Sequence, residues 1–158
     1  MSEPPAYAAA LGRIPSGLFV LTACRHQQEA AVLISWVQQC SFVPPRLSLA
    51  LRQGRPILDW LPIGASFVLN ILGEGNRELV SHFGKGWEPG PAAFAGVKVQ
   101  RDQLPAPVLS DAHAYLLCQV ASHCPAGDHV LILADITDGA VLHPGRPTVH
   151  IRKNGLHY

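Results

Sequence analysis

Charge is scarce in this chain. Asp, Glu, Lys and Arg make up 15% of its 158 residues, and they nearly cancel to leave a net charge of +1. Such a balance offers no basic footprint for nucleic acid and no attraction to an acidic membrane surface. Long apolar runs are also missing, and none approaches the ~20 residues that a membrane-spanning helix requires. No charged segment followed by an apolar stretch opens the chain as a secretion signal would, so the expectation is a soluble, cytoplasmic protein. The four cysteines, Cys24, Cys40, Cys118 and Cys124, form no C-x-x-C pair, which favours free thiols over disulfides or a metal site. Histidines 113, 123, 143, 150 and 157 form no H-x-H or H-x-x-x-H pair, and the adjacent His123 and Cys124 have poor geometry for one ion. No metal site is expected. A nucleophile elbow, a P-loop and a G-x-G-x-x-G are all lacking, so no motif opens a competing enzyme class.

What is present is apolar. Hydrophobic residues reach 48%, enough for one domain of ordinary size with a real core and with apolar surface left over for an oligomer. Residues 1–5 read as disordered and 6–158 as one domain. Ala6 to Leu11 is helix-prone and ends at Gly12. Leu18 to Arg25 and Ala30 to Trp36 read as strands joined at a polar hairpin. A helix follows Pro56, a strand covers Ser66 to Leu72, and Asn76 caps a helix bearing Leu79, Val80 and Phe83. Trp87 lies in a Gly- and Pro-rich segment, either as a plug or as a cover for a ligand. Val97 to Gln100 is a short strand and Pro105 to Pro107 an extended crossover. His113 to His123 is a long strand with Tyr115, Leu117 and Gln119 on one face and Leu116, Cys118 and Val120 on the other. It pairs with His129 to Val141, and Thr148 to Arg152 forms the last strand. Many strands in hairpins with few helices predict a mainly β fold, a closed antiparallel barrel with helical insertions.

The chemistry concentrates between Ser35 and Pro56. Ser35 to Phe42 is a polar and aromatic run suited to a loop that holds a flat ring, or else an edge strand facing water. Val43-Pro44-Pro45 forces a corner. Leu47, Leu49 and Leu51 alternate with smaller or polar residues and deliver Arg52 to the end of a strand. Arg52 and Arg55 then flank the Gly54-Arg55-Pro56 helix start, where they offer a phosphate site or are simply solvated. Asp128-His129 follows Gly127 at a hairpin corner, an ordinary place for a turn residue. Arg152, Lys153 and Tyr158 form a basic terminal cluster that either reaches a cofactor phosphate or faces water.

In order and spacing, Gly12-Arg13-Ile14-Pro15-Ser16-Gly17, Ser35-Trp36-Val37, Ser41-Phe42, Pro44-Pro45, Phe67-Val68-Leu69-Asn70, Gly127-Asp128-His129 and His150-Ile151-Arg152-Lys153 resemble the flavin reductase-like family. They look most like the C-terminal flavin reductase module of flavodiiron proteins. The resemblance implies an FMN-binding split β-barrel, a homodimer, and a flavodiiron-type partner domain. It implies flavin contacts at Ser35, Gln38, Cys40 and Ser41 and a nicotinamide-associated His129; the residues themselves add Trp36 and the Gln39 backbone at the ring, and Arg52, Arg55 and Tyr158 as further candidate cofactor contacts. Many family members carry Ser or Thr where Arg55 stands, a departure at the phosphate site. The implied function is a flavin-dependent oxidoreductase that binds FMN (or FAD) and takes a hydride from NAD(P)H. Its onward acceptor is free flavin, oxygen, iron or a partner domain. Hydride transfer needs no protein nucleophile, acid or base, so no catalytic residue is expected. The alternatives are an FMN-binding electron-relay module with little reductase activity of its own, and an interaction domain that has lost the cofactor.

Overall fold

The computed structural model describes residues 3–157. Alternating apolar residues set the strands. In β4 (Pro45–Arg52) the side chains of Leu47, Leu49 and Leu51 are buried while Ser48, Ala50 and Arg52 are not, the period-2 pattern of a strand with one face in a core. In β8 (Ala114–Ala126), Leu116, Cys118 and Val120 turn to the same core, and Tyr115 and Leu117 turn to a smaller one. With β1 (Phe19–Arg25), β2 (Gln28–Ile34), β3 (Val37–Phe42), β5 (Ser66–Ile71) and β9 (His129–Val141) they form one antiparallel seven-stranded sheet, ordered β2-β1-β5-β8-β9-β4-β3. Inward residues of six of these strands meet in one cluster, so the sheet rolls around its own core.

The roll does not close. The end strands β2 and β3 are consecutive in the chain, yet no ladder joins them. The expected closed barrel is therefore an open, curled sheet. One physical cause lies at the edge of β2, where Gly90 N–H donates to the Glu29 carbonyl at 2.8 Å and a loop occupies part of the place a strand would take. The outer face of β1 and β2 is covered by α2 (Arg77–Phe83) and the 3₁₀ turn Pro91–Phe94, which bury Leu79, Phe83 and Phe94 against Val20 and Ala31. The short pair β6 (Val99–Gln100) and β7 (Val108–Leu109) lies apart from the main sheet.

Other expectations shift locally. The N-terminal helix is α1, Tyr7–Leu11. The helix after Pro56 is a single 3₁₀ turn, Pro56–Trp60. Asn76 precedes α2, but its side chain accepts the Gly73 N–H at 2.7 Å instead of capping the helix. Thr148 to Arg152 is no strand. It makes one isolated bridge, Ser16 pairing His150 through two backbone bonds of 2.7 and 3.0 Å. Trp87 is packed down, donating Nε1–H to the His82 carbonyl at 2.9 Å.

Asn70, fully buried on β5, joins three segments. Its Nδ2 donates to the Val20 carbonyl at 3.0 Å, and its Oδ1 accepts the Leu109 N–H at 2.8 Å. An Asn70→Leu variant should lose about 2–4 kcal/mol in urea unfolding, at roughly 1–3 kcal/mol for each buried group left unpaired; a loss below ~1 kcal/mol would show that the crossover docks without it. Burial pushes the Cys118 thiol up to about 12, whereas Cys24, Cys40 and Cys124 are exposed. A thiol reagent should therefore titrate three cysteines in the folded protein and Cys118 only in denaturant, and prompt reaction of all four would contradict this placement.

Candidate functional site

The two-residue link Ser35-Trp36 joins the splayed ends of the sheet, and it folds tightly. Val37 N–H returns to the Ser35 carbonyl at 3.1 Å, and the Trp36 carbonyl accepts Ala50 N–H from β4 at 3.0 Å. The indole is thereby fixed beside the end of β4. There Arg52 pairs in register with His129, the first residue of β9. The turn before it has Gly127 at a positive φ of 65°, which a β-carbon would strain. Gln53 clamps that turn, its N–H donating to the Asp128 carbonyl at 2.9 Å and its Nε2 to the Gly127 carbonyl at 3.1 Å.

His129 is buried, and its ring lies 4.8 Å from that of Trp36. Its Nδ1–H donates to the Asp128 carboxylate at 2.7 Å. That hydrogen bond, followed by the charges of His129 and Arg52, holds the Asp128 carboxyl below its ordinary value of 3.8. On the other side comes the C-terminal segment. Gly12 lets it pass, since a β-carbon there would meet the Arg152 carbonyl at 2.7 Å. Gly155 N–H donates to the Ala8 carbonyl at 2.8 Å, and the Arg152 guanidinium carbon lies 4.7 Å from the centre of the Trp36 ring, within cation–π range.

Trp36 and Arg152 together line three neighbouring clefts. One, about 490 Å³, is polar and contains Arg52, Asp128, His129 and His157. A second, about 720 Å³, is largely apolar, with Pro15, Phe19, Ile71, Leu131 and Val149 beside Ser35 and Gln38. The third, about 330 Å³, holds Ser35, Arg55, Val80 and His150. Among the described residues no carboxylate lies within ion-pair distance of Arg52, Arg55 or Arg152.

The structure thus gathers Ser35, Trp36, Gln38, Arg52, Arg55 and His129 around one junction. It does not bring Gln39, Cys40 or Ser41 there. Ser35 to Phe42 is not a ring-holding loop beyond Trp36, because β3 is an edge strand with a bulge at Cys40, and those three side chains line none of these clefts. A single 3₁₀ turn after Arg55 also has too little aligned backbone for a strong dipole, so Arg55 would act by its own charge. Tyr158 lies outside the described residues. The apolar wall formed by Phe19, Ile71 and Leu131 was missed from sequence. Its signal was faint: Phe19 and Ile71 continue the core-facing alternation of β1 and β5 to the strand ends, and Leu131 lies on the opposite face of β9 from the core residue Ile132.

The flavin reductase like domain matches residues 11–155. The chain belongs to that family. Membership supports a flavin-related oxidoreductase or electron-transfer role. Diflavin flavoprotein A 1 of Synechocystis sp. is 44% identical over 151 residues, which is 94% of this chain but 26% of that protein. This chain thus spans about a quarter of the length of such relatives. Solved structures give the same fold at lower identity. The NADH:FAD oxidoreductase SgcE6 of Streptomyces globisporus C-1027 superposes with a TM-score of 0.79 at 22% identity, covering 93% of this chain and 87% of that one. The styrene monooxygenase flavin reductase of Pseudomonas putida S12 gives 0.78 at 22%, covering 93% of each. No helix among the described residues is long and apolar enough to cross a membrane.

The lowered Asp128 carboxyl has a pH signature. A carboxylate depressed in the folded state stabilises the fold above its unfolded value, and that contribution is lost as pH falls toward the folded value. The stability difference between the native protein and an Asp128→Asn variant should be constant at neutral pH and shrink below the ordinary carboxylate range. A difference that does not change with acidification would break the Asp128–His129 assignment.

Proposed function

We propose that this chain is an NAD(P)H:flavin oxidoreductase that binds FMN, with FAD as the alternative, at the junction around Trp36. The observation that carries this reading is the Trp36–Arg152 pair. It sets an aromatic face and a cation without a carboxylate partner where an apolar cleft meets a polar one. That donor set suits a flavin phosphate, which needs fixed positive charge, and a flavin ring, which needs a mostly apolar wall with a few polar contacts. Arg52, Arg55 and Arg152 are the phosphate ligands of this proposal. Ser35 and the Gln38 backbone serve the polar ring edge, and Phe19, Ile71 and Val149 the apolar end. Gln39, Cys40 and Ser41 remain proposed contacts only through their backbone or through a second copy of the chain.

Bound flavin supplies the hydride-accepting chemistry that no side chain here possesses. The protein's own residues bind and orient. Asp128 fixes the His129 ring beside Trp36, and the C-terminal segment walls the junction against water. NAD(P)H is the proposed donor, with His129 beside its site, and free flavin, oxygen, iron or a flavodiiron-type partner domain is the acceptor. The share of the diflavin flavoproteins that this chain spans supports the partner domain. Sparse charge and the exposed Ile14, Phe42, Val43 and Val149 support a homodimer; a cytoplasmic location is part of the same proposal.

The decisive test is a visible spectrum of protein desalted after adding FMN, then addition of NADH or NADPH. Retained flavin bands that bleach are expected. Retained bands that do not bleach favour the electron-relay reading, and no retained flavin removes the tight site. Arg152→Gln should weaken FMN binding about 10- to 100-fold, the equivalent of losing one charge-assisted hydrogen bond, and unchanged affinity would move the flavin away from Arg152.

A further inference from the structure

The loop that carries Asp128 is held from one place. Ala126 of β8 pairs with His129 of β9, so Gly127 and Asp128 are the two loop residues of a hairpin. Gly127 has a φ of 65°, which suits the first central position of a type II′ turn. Neither residue lies in the β8–β9 ladder, so their carbonyls need donors from water or another segment. Both find one in Gln53, the residue after β4. Its backbone N–H meets the Asp128 carbonyl at 2.9 Å, and its Nε2–H meets the Gly127 carbonyl at 3.1 Å. Among the described residues no other group donates to either carbonyl.

Packing does not pin Asp128. Its side chain is 75% exposed, against 10% for His129. An exposed carboxylate on a two-residue loop is free to turn into water, and an ion pair at the surface fixes little by itself. What keeps it 2.7 Å from His129 Nδ1 is the backbone beneath it. Bonds to two successive carbonyls fix the orientation of that backbone, where one bond would leave it free to pivot. Gln53 is itself exposed, so its side-chain bond adds little to the stability of the whole fold. Nor does Gln53 line any of the clefts around Trp36. Its effect is local and indirect. It passes to the loop, from Asp128 to His129, and from His129 to the Trp36 ring 4.8 Å away.

We propose that Gln53 is a positioning residue, which holds the Gly127-Asp128 loop so that Asp128 presents the His129 ring to the nicotinamide. The nicotinamide rests on the oxidoreductase reading above; the coupling of Gln53 to His129 does not.

The test sets Gln53→Met, which keeps the side-chain length and removes the donor, against Gln119→Met, which removes another exposed glutamine bond of 3.1 Å, to the Gly64 carbonyl. Two readouts apply to the full chain: the Asp128 carboxyl titration by carbon NMR, and steady-state kinetics with FMN and NADH or NADPH. In Gln53→Met the Asp128 carboxyl should move from its lowered position toward the ordinary 3.8. KM for the nicotinamide should rise about 3- to 10-fold, the equivalent of one lost hydrogen bond, with kcat, FMN affinity and Tm retained. Gln119→Met should move neither readout. An Asp128 titration that stays in place in Gln53→Met would overturn the coupling. An unchanged KM beside a shifted Asp128 would overturn the positioning role. So would an equal KM rise in Gln119→Met, or a loss of FMN affinity in Gln53→Met, which would route the effect through Arg52. If the native protein oxidises no NAD(P)H while Gln53→Met still shifts Asp128, the coupling stands and the reductase reading falls.

Discussion

Leu21 of β1, Leu49 and Leu51 of β4, Phe67 and Leu69 of β5 and Ile132 of β9 pack into one cluster, each no more than 1% exposed. At ~1.5–3 kcal/mol for each large apolar side chain taken from water, this shared core is the main reason the sheet rolls up. Only a curled sheet can point residues from both halves of its strand order at a common centre. The curl also dictates where order runs out. The two end strands splay apart, and the two residues that bridge them, Ser35 and Trp36, are left at the mouth of the roll. The candidate site lies where the roll is incomplete.

A splayed end needs support, and the C-terminal segment provides it without becoming a strand. Bridges from Ser16 to His150 and from Gly73 to Pro147, with the close pass at Gly12, lay residues 147–157 across the opening. The strap is irregular because its backbone bonds go alternately to a loop, to the end of β5 and to α1. Its reward is positional: Arg152 reaches Trp36 from a part of the chain more than a hundred residues away.

The charge distribution then acquires meaning. A protein with so few charges has little long-range field, yet Arg52, Arg55 and Arg152 converge on neighbouring clefts in which Asp128 is the one lining carboxylate among the described residues. Uncompensated arginines at one place are unfavourable for the free protein and favourable once an anion arrives. Asp128 offsets part of the charge at Arg52, and its hydrogen bond orients His129. The arrangement fits a protein that positions an anionic ring ligand and leaves the chemistry to it.

Local patterning determined much of this by itself. The alternation in Pro45–Arg52 and in Ala114–Ala126 reported both the strands and the faces they bury, because a period of two leaves no other way to hide the leucines. The ordered motifs along the chain were enough to reach the family, and the residues on either side of the hairpin at Gly127 were correctly placed together. Closure was not legible, since whether β2 and β3 pair depends on the loop at Gly90 that meets Glu29, a contact between distant segments. Nor was the fate of Ser35 to Phe42, where polar composition suits a loop and an edge strand equally, and only the pairing with β4 decides. The same holds for the last residues: Thr148 to Arg152 reads as a strand by composition, but its backbone bonds go to Ser16 and Leu72 and form no ladder, so the tertiary structure made it a strap and put Arg152 on Trp36.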